Sequence, residues 1–384
     1  MFRLDERQMI RTAPFGMDLV LSIFYLAAPL TLIKLGANPI ELGLIGTLIS
    51  SVHMALANFT GHLSDQWGRR LLIITGPVIL GASCLLMTAA EQVKVVLALS
   101  ALNGLGLAIF WPSFQAWVAE RQTESGLAHD IGSFNMSWTA ANLTGSVVSG
   151  FLYSYHPHLP FWVAALISLL LVLLTCTSVS DREPRRAHRE ETLEGDEQGW
   201  RKGFLYAGWV GNFASWFILG NARYQFPKLA RELTIDPQRI GLLIGCIGLS
   251  QFFGFFCLRR SERWHFRKHY LLGGQLLAAA GILLLFLSSE QTLFAFAFIT
   301  IGLCSSITYY SSLYYAVHLL KKKGKGAGMH ESILGSGALL GPILGGIAAY
   351  YGGLRAPYLL CLAVLFIVIA AEWHLTKIRD AAEP

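Results

Sequence analysis

Gly61-His62-Leu63-Ser64-Asp65-Gln66-Trp67-Gly68-Arg69-Arg70 is a short charged stretch set between two long apolar runs, 41–60 and 71–90. Runs of about 20 apolar residues are long enough to cross the hydrocarbon core of a bilayer as helices. The ten residues between them then read as a tight loop at a membrane surface. Gly61 and Gly68 suit a turn in which a side chain would clash or φ must become positive. Asp65, Arg69 and Arg70 are placed to pair with helix ends and with charges nearby.

The same alternation runs outward through the whole chain. Apolar runs predict twelve helical spans, at about 13–36, 41–60, 71–90, 95–118, 131–153, 160–180, 203–226, 239–258, 270–288, 293–318, 331–351 and 356–375. The 384 residues are 54% hydrophobic and 14% charged, against roughly 25% charged in a soluble domain. The expected fold class is therefore an all-α polytopic membrane protein of twelve transmembrane helices in two pseudo-symmetric six-helix halves. The spans fill the length and leave no room for a soluble catalytic domain. One hydrophilic stretch, 181–202, divides the spans six and six. This gives a first bundle over 1–180, a linker over 181–202 and a second bundle over 203–384.

The net charge of +6 follows membrane topology. On the side of the bilayer that carries the termini lie 23 of the 30 Lys and Arg residues; 6 lie opposite, and Arg223 stands inside a span. That asymmetry places both termini and the linker in the cytoplasm, with the plasma (inner) membrane as the expected location. It predicts a lipid bilayer as partner and no nucleic acid. The run from Ala13 to Gly36 is too long for the apolar core of a cleavable signal. All six cysteines fall in apolar spans without a CxxC pair, so buried packing is expected rather than disulfides or a metal site. There is no GxxxxGK[ST], HExxH or GxSxG, which removes the usual signatures of ATP hydrolysis and of hydrolase chemistry.

The halves repeat. A shift of 198 lays Pro29 on Pro227, Pro39 on Pro237 and Gly43 on Gly241. A shift of 196 lays Gly145 and Gly150 on Gly341 and Gly346. Two like halves about an axis normal to the membrane are what alternating access requires, with solute held between them near the midplane.

The 61–70 pattern resembles the loop between helices 2 and 3 of the major facilitator superfamily. The run Gly337-Ala338-Leu339-Leu340-Gly341-Pro342-Ile343-Leu344-Gly345-Gly346 is similar to a glycine-proline pattern of the same family. Its drug antiporters carry that pattern in helix 5. Here the fifth span keeps Gly145 and Gly150 without the proline. The resemblance implies a secondary active transporter, not an enzyme, moving a small organic solute by rocking two bundles, coupled to protons. It implies a small-molecule substrate as partner, no cofactor beyond an ion gradient, and a monomer. It also implies a conformational latch of Gly61, Asp65, Gly68, Arg69, Arg70 and Glu120. Glu120 would meet Arg69 or Arg70, and Asp65 would sit near Met329 to Ser332. The alternative classes are a membrane enzyme acting on lipid and a transporter-derived sensor.

Polar groups inside spans supply further candidates, because they are costly there. Asp18 shares a helix face with Ser22, Tyr25 and Pro29. It is read either as the carrier of a coupled proton or as a solvated group about 8 Å from the start of its span. His53 is read as a second proton candidate or as a hydrogen-bonded packing histidine. Arg223 would hold an anionic group, pair with a carboxylate, or snorkel to the outer surface. Tyr25, Asn135, Trp138, Asn142, Asn212, Trp216, Tyr310 and Tyr314 complete the substrate-cavity candidates, with Gln251 a weaker one. Gly145, Gly150, Gly337, Gly341, Pro342, Gly345 and Gly346 are read as close helix packing or as a gating hinge. Glu331 is read as structural or as part of the latch.

Overall fold

The computed structural model describes residues 4–120, 127–179, 199–320 and 323–377. Twelve long helices and one short one are described. The first half holds α1 (Glu6–Lys34), α2 (Pro39–Trp67), α3 (Arg69–Met87), α4 (Val93–Ala119), α5 (Leu127–Tyr155) and α6 (Leu159–Ser178). The second holds α7 (Gly199–Tyr224), the short α8 (Phe226–Glu232), α9 (Pro237–Leu258), α10 (Lys268–Leu287), α11 (Gln291–Leu319), α12 (Lys323–Gly352) and α13 (Ala356–Thr376). Successive long helices run up and down. The end that carries the start of α1 is called the near face, and the other the far face.

Helix starts follow local chemistry. Asp5 and Gln8 form a reciprocal capping box that begins α1 at Glu6, with Asp5 Oδ1 accepting from the Gln8 amide at 2.7 Å. Two orphan amides are satisfied in this way. Asn38 and Glu41 do the same for α2, with Pro39 in the first turn. Asp236 caps α9, again followed by proline. Asn38-Pro39 and Asp236-Pro237 are repeat mates under the shift of 198, so the internal repeat extends to the caps.

The structure corrects several sequence expectations. The 61–70 stretch is not a loop along its length. Gly61 to Trp67 continue α2, and only Gly68, at φ 92° and ψ 146°, separates α2 from α3. Helix α1 starts at Glu6 rather than near 13, because its polar first turns are amphipathic and capped. Residues 199–202, expected in the linker, open α7; residues 181–198 of that linker lie outside the described residues. Of the cysteines, Cys84, Cys304 and Cys361 are buried, Cys176 and Cys246 are half-buried and Cys257 is exposed; all are free. An apolar helix facing lipid and one facing its neighbours have the same composition, so sequence does not separate them.

Each half has its own core. Met17, Phe24, Phe110, Phe114, Trp117 and Phe161 pack in the first half, and Phe226, Ile240, Phe294, Phe298 and Tyr358 in the second. Ten of the long helices, as described, are long and apolar enough to cross a membrane. The two that are not among them are α5 and α7. These carry Asn135, Asn142, Asn212, Asn221 and Arg223, the polar groups gathered toward the middle of the molecule.

The halves meet along two related interfaces near the far face. Helix α5 packs on α9, and α12 packs on α2. Small residues permit both. A Cβ on Gly150 would stand 2.5 Å from Pro237 O, and one on Gly346 would stand 2.6 Å from Pro39 O. The Pro342 ring wedges between α2 and α7, within 2.8 Å of the Cβ positions of both Gly46 and Gly220. Lys228 Nζ donates to Ala37 O at 2.8 Å, and Gln225 Nε2 donates to Pro39 O at 3.1 Å, which ties α8 and its start to the α1–α2 turn.

Candidate functional site

Between the halves lies a cavity of about 370 Å³. Asp18, Leu21 and Tyr25 of α1, His53 and Asn58 of α2, and Trp111 and Gln115 of α4 line it from one half, with Trp138 and Asn142 of α5. Trp216, Arg223 and Tyr224 of α7, Tyr309 of α11, and Glu331 and Ser332 of α12 line it from the other. Asn58, Gln115, Gly328 and Ser332 stand at near-face helix ends and form its mouth. Arg223 and Tyr224 lie at the far end of α7, under the interfaces that close that side. The cavity is thus open to one face and sealed from the other.

Arg223 is half-buried on this wall. Its guanidinium carbon lies 5.3 Å from the Tyr25 ring centroid and 5.7 Å from that of Trp216. Its Nη2 donates to Asn142 Oδ1 at 3.3 Å. Asn142 is itself held: Ser22 Oγ donates to the same oxygen at 2.9 Å, and Asn142 Nδ2 donates to Trp138 O at 3.0 Å. The arginine therefore faces the cavity and does not snorkel. Aromatic faces and a fixed amide supply its setting.

Asp18 is half-buried on the same wall. With α1 beginning at Glu6, it lies twelve residues into the helix, roughly 18 Å along the axis. The additional turns before Ala13 are largely polar and exposed, so they lengthen the helix ahead of the apolar run that holds Asp18. His53 lines the cavity and makes no hydrogen bond among the described residues. The hydrogen-bonded reading of this histidine is thereby corrected: His53 is half-buried on the cavity side of α2.

Four cavity candidates are not on the cavity wall. Asn135 is buried and accepts from Trp138 Nε1 at 3.1 Å, so it orients that indole instead. Asn212 is fully buried in the second half. Tyr310 and Tyr314 pack on Trp264, with centroids at 5.4 and 5.2 Å, near the α9–α10 turn. Tyr309 lines the cavity in their place. One residue is a 100° turn of the helix, and neighbouring tyrosines give sequence reasoning no asymmetry to choose by. Gln251 is buried and donates to Ser305 Oγ at 2.7 Å.

The residues expected to form a latch cluster at the near face of the first half. Arg69 Nη2 pairs with Asp65 Oδ1 at 2.5 Å and with Glu120 Oε1 at 3.0 Å. Arg70 Nη2 donates to Cys176 O at 2.8 Å. Gly68 supplies the positive φ that lets α3 leave α2 with Arg69 turned back toward Asp65. Gly61 needs no special conformation: a Cβ placed on it would stand 3.7 Å from Pro112 Cβ, an ordinary contact. The cluster does not reach Met329 to Ser332 through a hydrogen bond or ion pair among the described residues; Ser332 lines the open mouth.

The glycines serve as close contacts. Gly145 meets Ser22 of α1, Gly337 and Gly341 meet Phe217 of α7, and Gly345 meets Asn221 of α7. Two carboxylates stand where sequence reasoning did not place them. Glu331 lines the cavity because α12 starts at Lys323, eight residues earlier than the apolar run suggests. Glu372 is fully buried in α13, where its Oε1 accepts from Gln275 Nε2 at 3.0 Å and Gly211 leaves it room. Its place near a span end hides it in the sequence. Among the described residues, no three His, Cys, Asp or Glu side chains gather as a metal site.

Comparison with known proteins places this geometry. The family model described as Major Facilitator Superfamily matches residues 13–219 and again 208–383. Multidrug resistance protein 1 of Bacillus subtilis (strain 168) is 21% identical over 345 residues, covering 86% of this chain and 85% of that protein. Quinolone resistance protein NorA of Staphylococcus aureus (strain Mu50) is 19% identical over 378 residues, covering 95% of each. Among solved structures, a bacterial homologue of the human lysosomal transporter Spinster, inward-facing and unoccupied, superposes with a TM-score of 0.76 at 15% identity, covering 97% of each chain. The nucleoside transporter NupG superposes with a TM-score of 0.68 at 13% identity, over 97% of this chain and 100% of that one.

Proposed function

The chain belongs to the Major Facilitator Superfamily, and from that premise we propose that this secondary transporter carries a small organic solute across the plasma membrane by a proton-coupled cycle. The mouth faces the cytoplasm in this state. The basic excess on the near face supports that orientation, since Lys and Arg concentrate on the cytoplasmic side. The protein acts as a monomer and performs no chemistry on its cargo. Its driving force is an ion gradient and not a bound cofactor.

The observation that carries this reading is the cavity itself. It is built from both halves, open at one face and closed at the other by interfaces that the internal repeat relates. Rocking the halves about the cavity would exchange the open and closed faces. Asp18 is the proton carrier: a carboxylate deep in a span, in a wall that is wet in one state and sealed in the other. The drug-resistance names of its relatives are compatible with an organic cargo.

Purified protein in vesicles with an imposed pH gradient tests the coupling. Solute accumulation that collapses when a protonophore dissipates the gradient is expected. Accumulation that ignores the gradient, or none with a panel of labelled organic solutes, would remove the proposal.

A further inference from the structure

We infer that Arg223 is the subsite for an anionic head group, so that the cargo is a small organic anion with an aromatic body. This rests on the reading of the cavity as a solute site.

Arg223 has five N–H donors and no acceptor function. One of them is spent on Asn142, at the long distance of 3.3 Å. Among the described residues, no carboxylate lies within 4.0 Å of it in an ion pair. Asp18, on the same wall, acts on it through its charge without forming a contact ion pair. A guanidinium inside a span without a contact counter-ion is costly, and such groups persist where they serve a ligand or a pathway. The Arg223 guanidinium carbon lies over the Tyr25 and Trp216 rings, at 5.3 and 5.7 Å from their centroids. Cation–π contacts consume no N–H donor, so the donors not used by Asn142 are available for a planar anion.

The surroundings are built rather than incidental. Asn142, 9% exposed, is fixed by Ser22 and by the Trp138 carbonyl, and so presents its oxygen to Arg223. Trp138 is fixed in turn by Asn135 and lies 5.6 Å from the Tyr309 ring. Indole and phenol faces then offer stacking to a flat apolar body. Asp18 stands seven residues before Tyr25 on α1, roughly 10 Å nearer the mouth. The head group is therefore placed farther from the mouth than the carboxylate, which itself acts on Arg223 through its charge. The competing role, an internal partner for Asp18 in the opposite state, predicts no preference for anionic ligands.

The test uses the full-length chain in lipid nanodiscs and follows its tryptophan fluorescence. Three probes of equal body are titrated: naphthoate, naphthamide and naphthylmethylammonium. A charge-assisted pair at Arg223 is expected to make naphthoate bind about 10-fold or more tighter than naphthamide. Arg223→Gln should collapse that ratio toward unity while naphthamide still binds, and Arg223→Lys should keep part of it. The wild-type ratio needs no mutation, so a folding defect in the variants does not blunt the test. Equal binding of naphthoate and naphthamide, tighter binding of the ammonium, or a ratio that survives Arg223→Gln overturns the anion site and leaves the cavity as a solute site. No saturable binding by all three overturns the aromatic-anion cargo, and proton-driven accumulation in vesicles then decides separately whether the transport reading stands.

Discussion

A Cβ placed on Gly150 would stand 3.0 Å from the Cα of Gly241, so α5 and α9 touch backbone to backbone where the cavity is sealed. Their repeat mates, Gly346 and Gly43, make the matching contact between α12 and α2, against Ile40 and Ile343 respectively. Glycine is used at these points for close approach. A contact of bare backbones is tight, yet few side chains must be unlocked to part it.

Gly241→Ala tests this seal. The new methyl would meet Ser146 O at 2.5 Å, and a carbonyl in a helix cannot yield. Overpacking of this kind costs about 1–3 kcal/mol, a shift of roughly 5- to 150-fold between two states. A cysteine at Ser50 on the cavity wall should then be alkylated several-fold faster from outside the cell. Unchanged labelling would deny the seal its role.

Glu120→Gln is expected to slow transport strongly while changing unfolding stability by less than about 1 kcal/mol. The Arg69–Glu120 pair is partly exposed, and such pairs contribute little to stability. Turnover in vesicles and thermal unfolding of the same preparation check both halves of the statement. A large stability loss, with turnover per folded molecule intact, would make the cluster structural only.

Gly68→Ala should destabilise the near face. At φ 92° and ψ 146° Gly68 occupies a region essentially closed to residues with a Cβ. The strain is expected to cost about 1–3 kcal/mol, visible as a lower thermal midpoint. A midpoint equal to that of the native chain would show that the α2–α3 junction relaxes freely.

Much of this architecture is legible in the chain because bilayer thickness and the positive-inside rule act on composition alone. The glycines at 145, 150, 341 and 346 stand out because a repeat aligns them. Other features are hidden for reasons of geometry. Tyr309 and Tyr310 differ by one helical step, and only the packing of α11 decides which one faces the cavity. Glu331 reads as terminal because polar residues open α12, so hydropathy does not mark where that helix starts. Trp138 and Asn142 can be placed on the wall from their depth, whereas Asn135, on the same face, is consumed by the indole beside it.

Asp18→Asn should separate coupling from movement. Asparagine keeps size and hydrogen bonding but cannot exchange a proton. The variant is expected to exchange solute down its gradient and to fail to concentrate it under a pH gradient. Accumulation at the native level would move the proton site elsewhere on the wall, with His53 and Glu331 next to be changed.

The central claim is that one cavity opens alternately to two faces. Spin labels at Gln66 and Met329 report the near face, and labels at Tyr155 and Glu232 report the far face; all four positions are exposed. Distance distributions from pulsed electron spin resonance, recorded in nanodiscs from acidic to alkaline pH, measure both ends under one set of conditions. The account predicts two populations at each end that exchange in opposite senses, the near pair closing as the far pair opens. Distances that stay single and fixed at both ends, or that lengthen and shorten together, would contradict it.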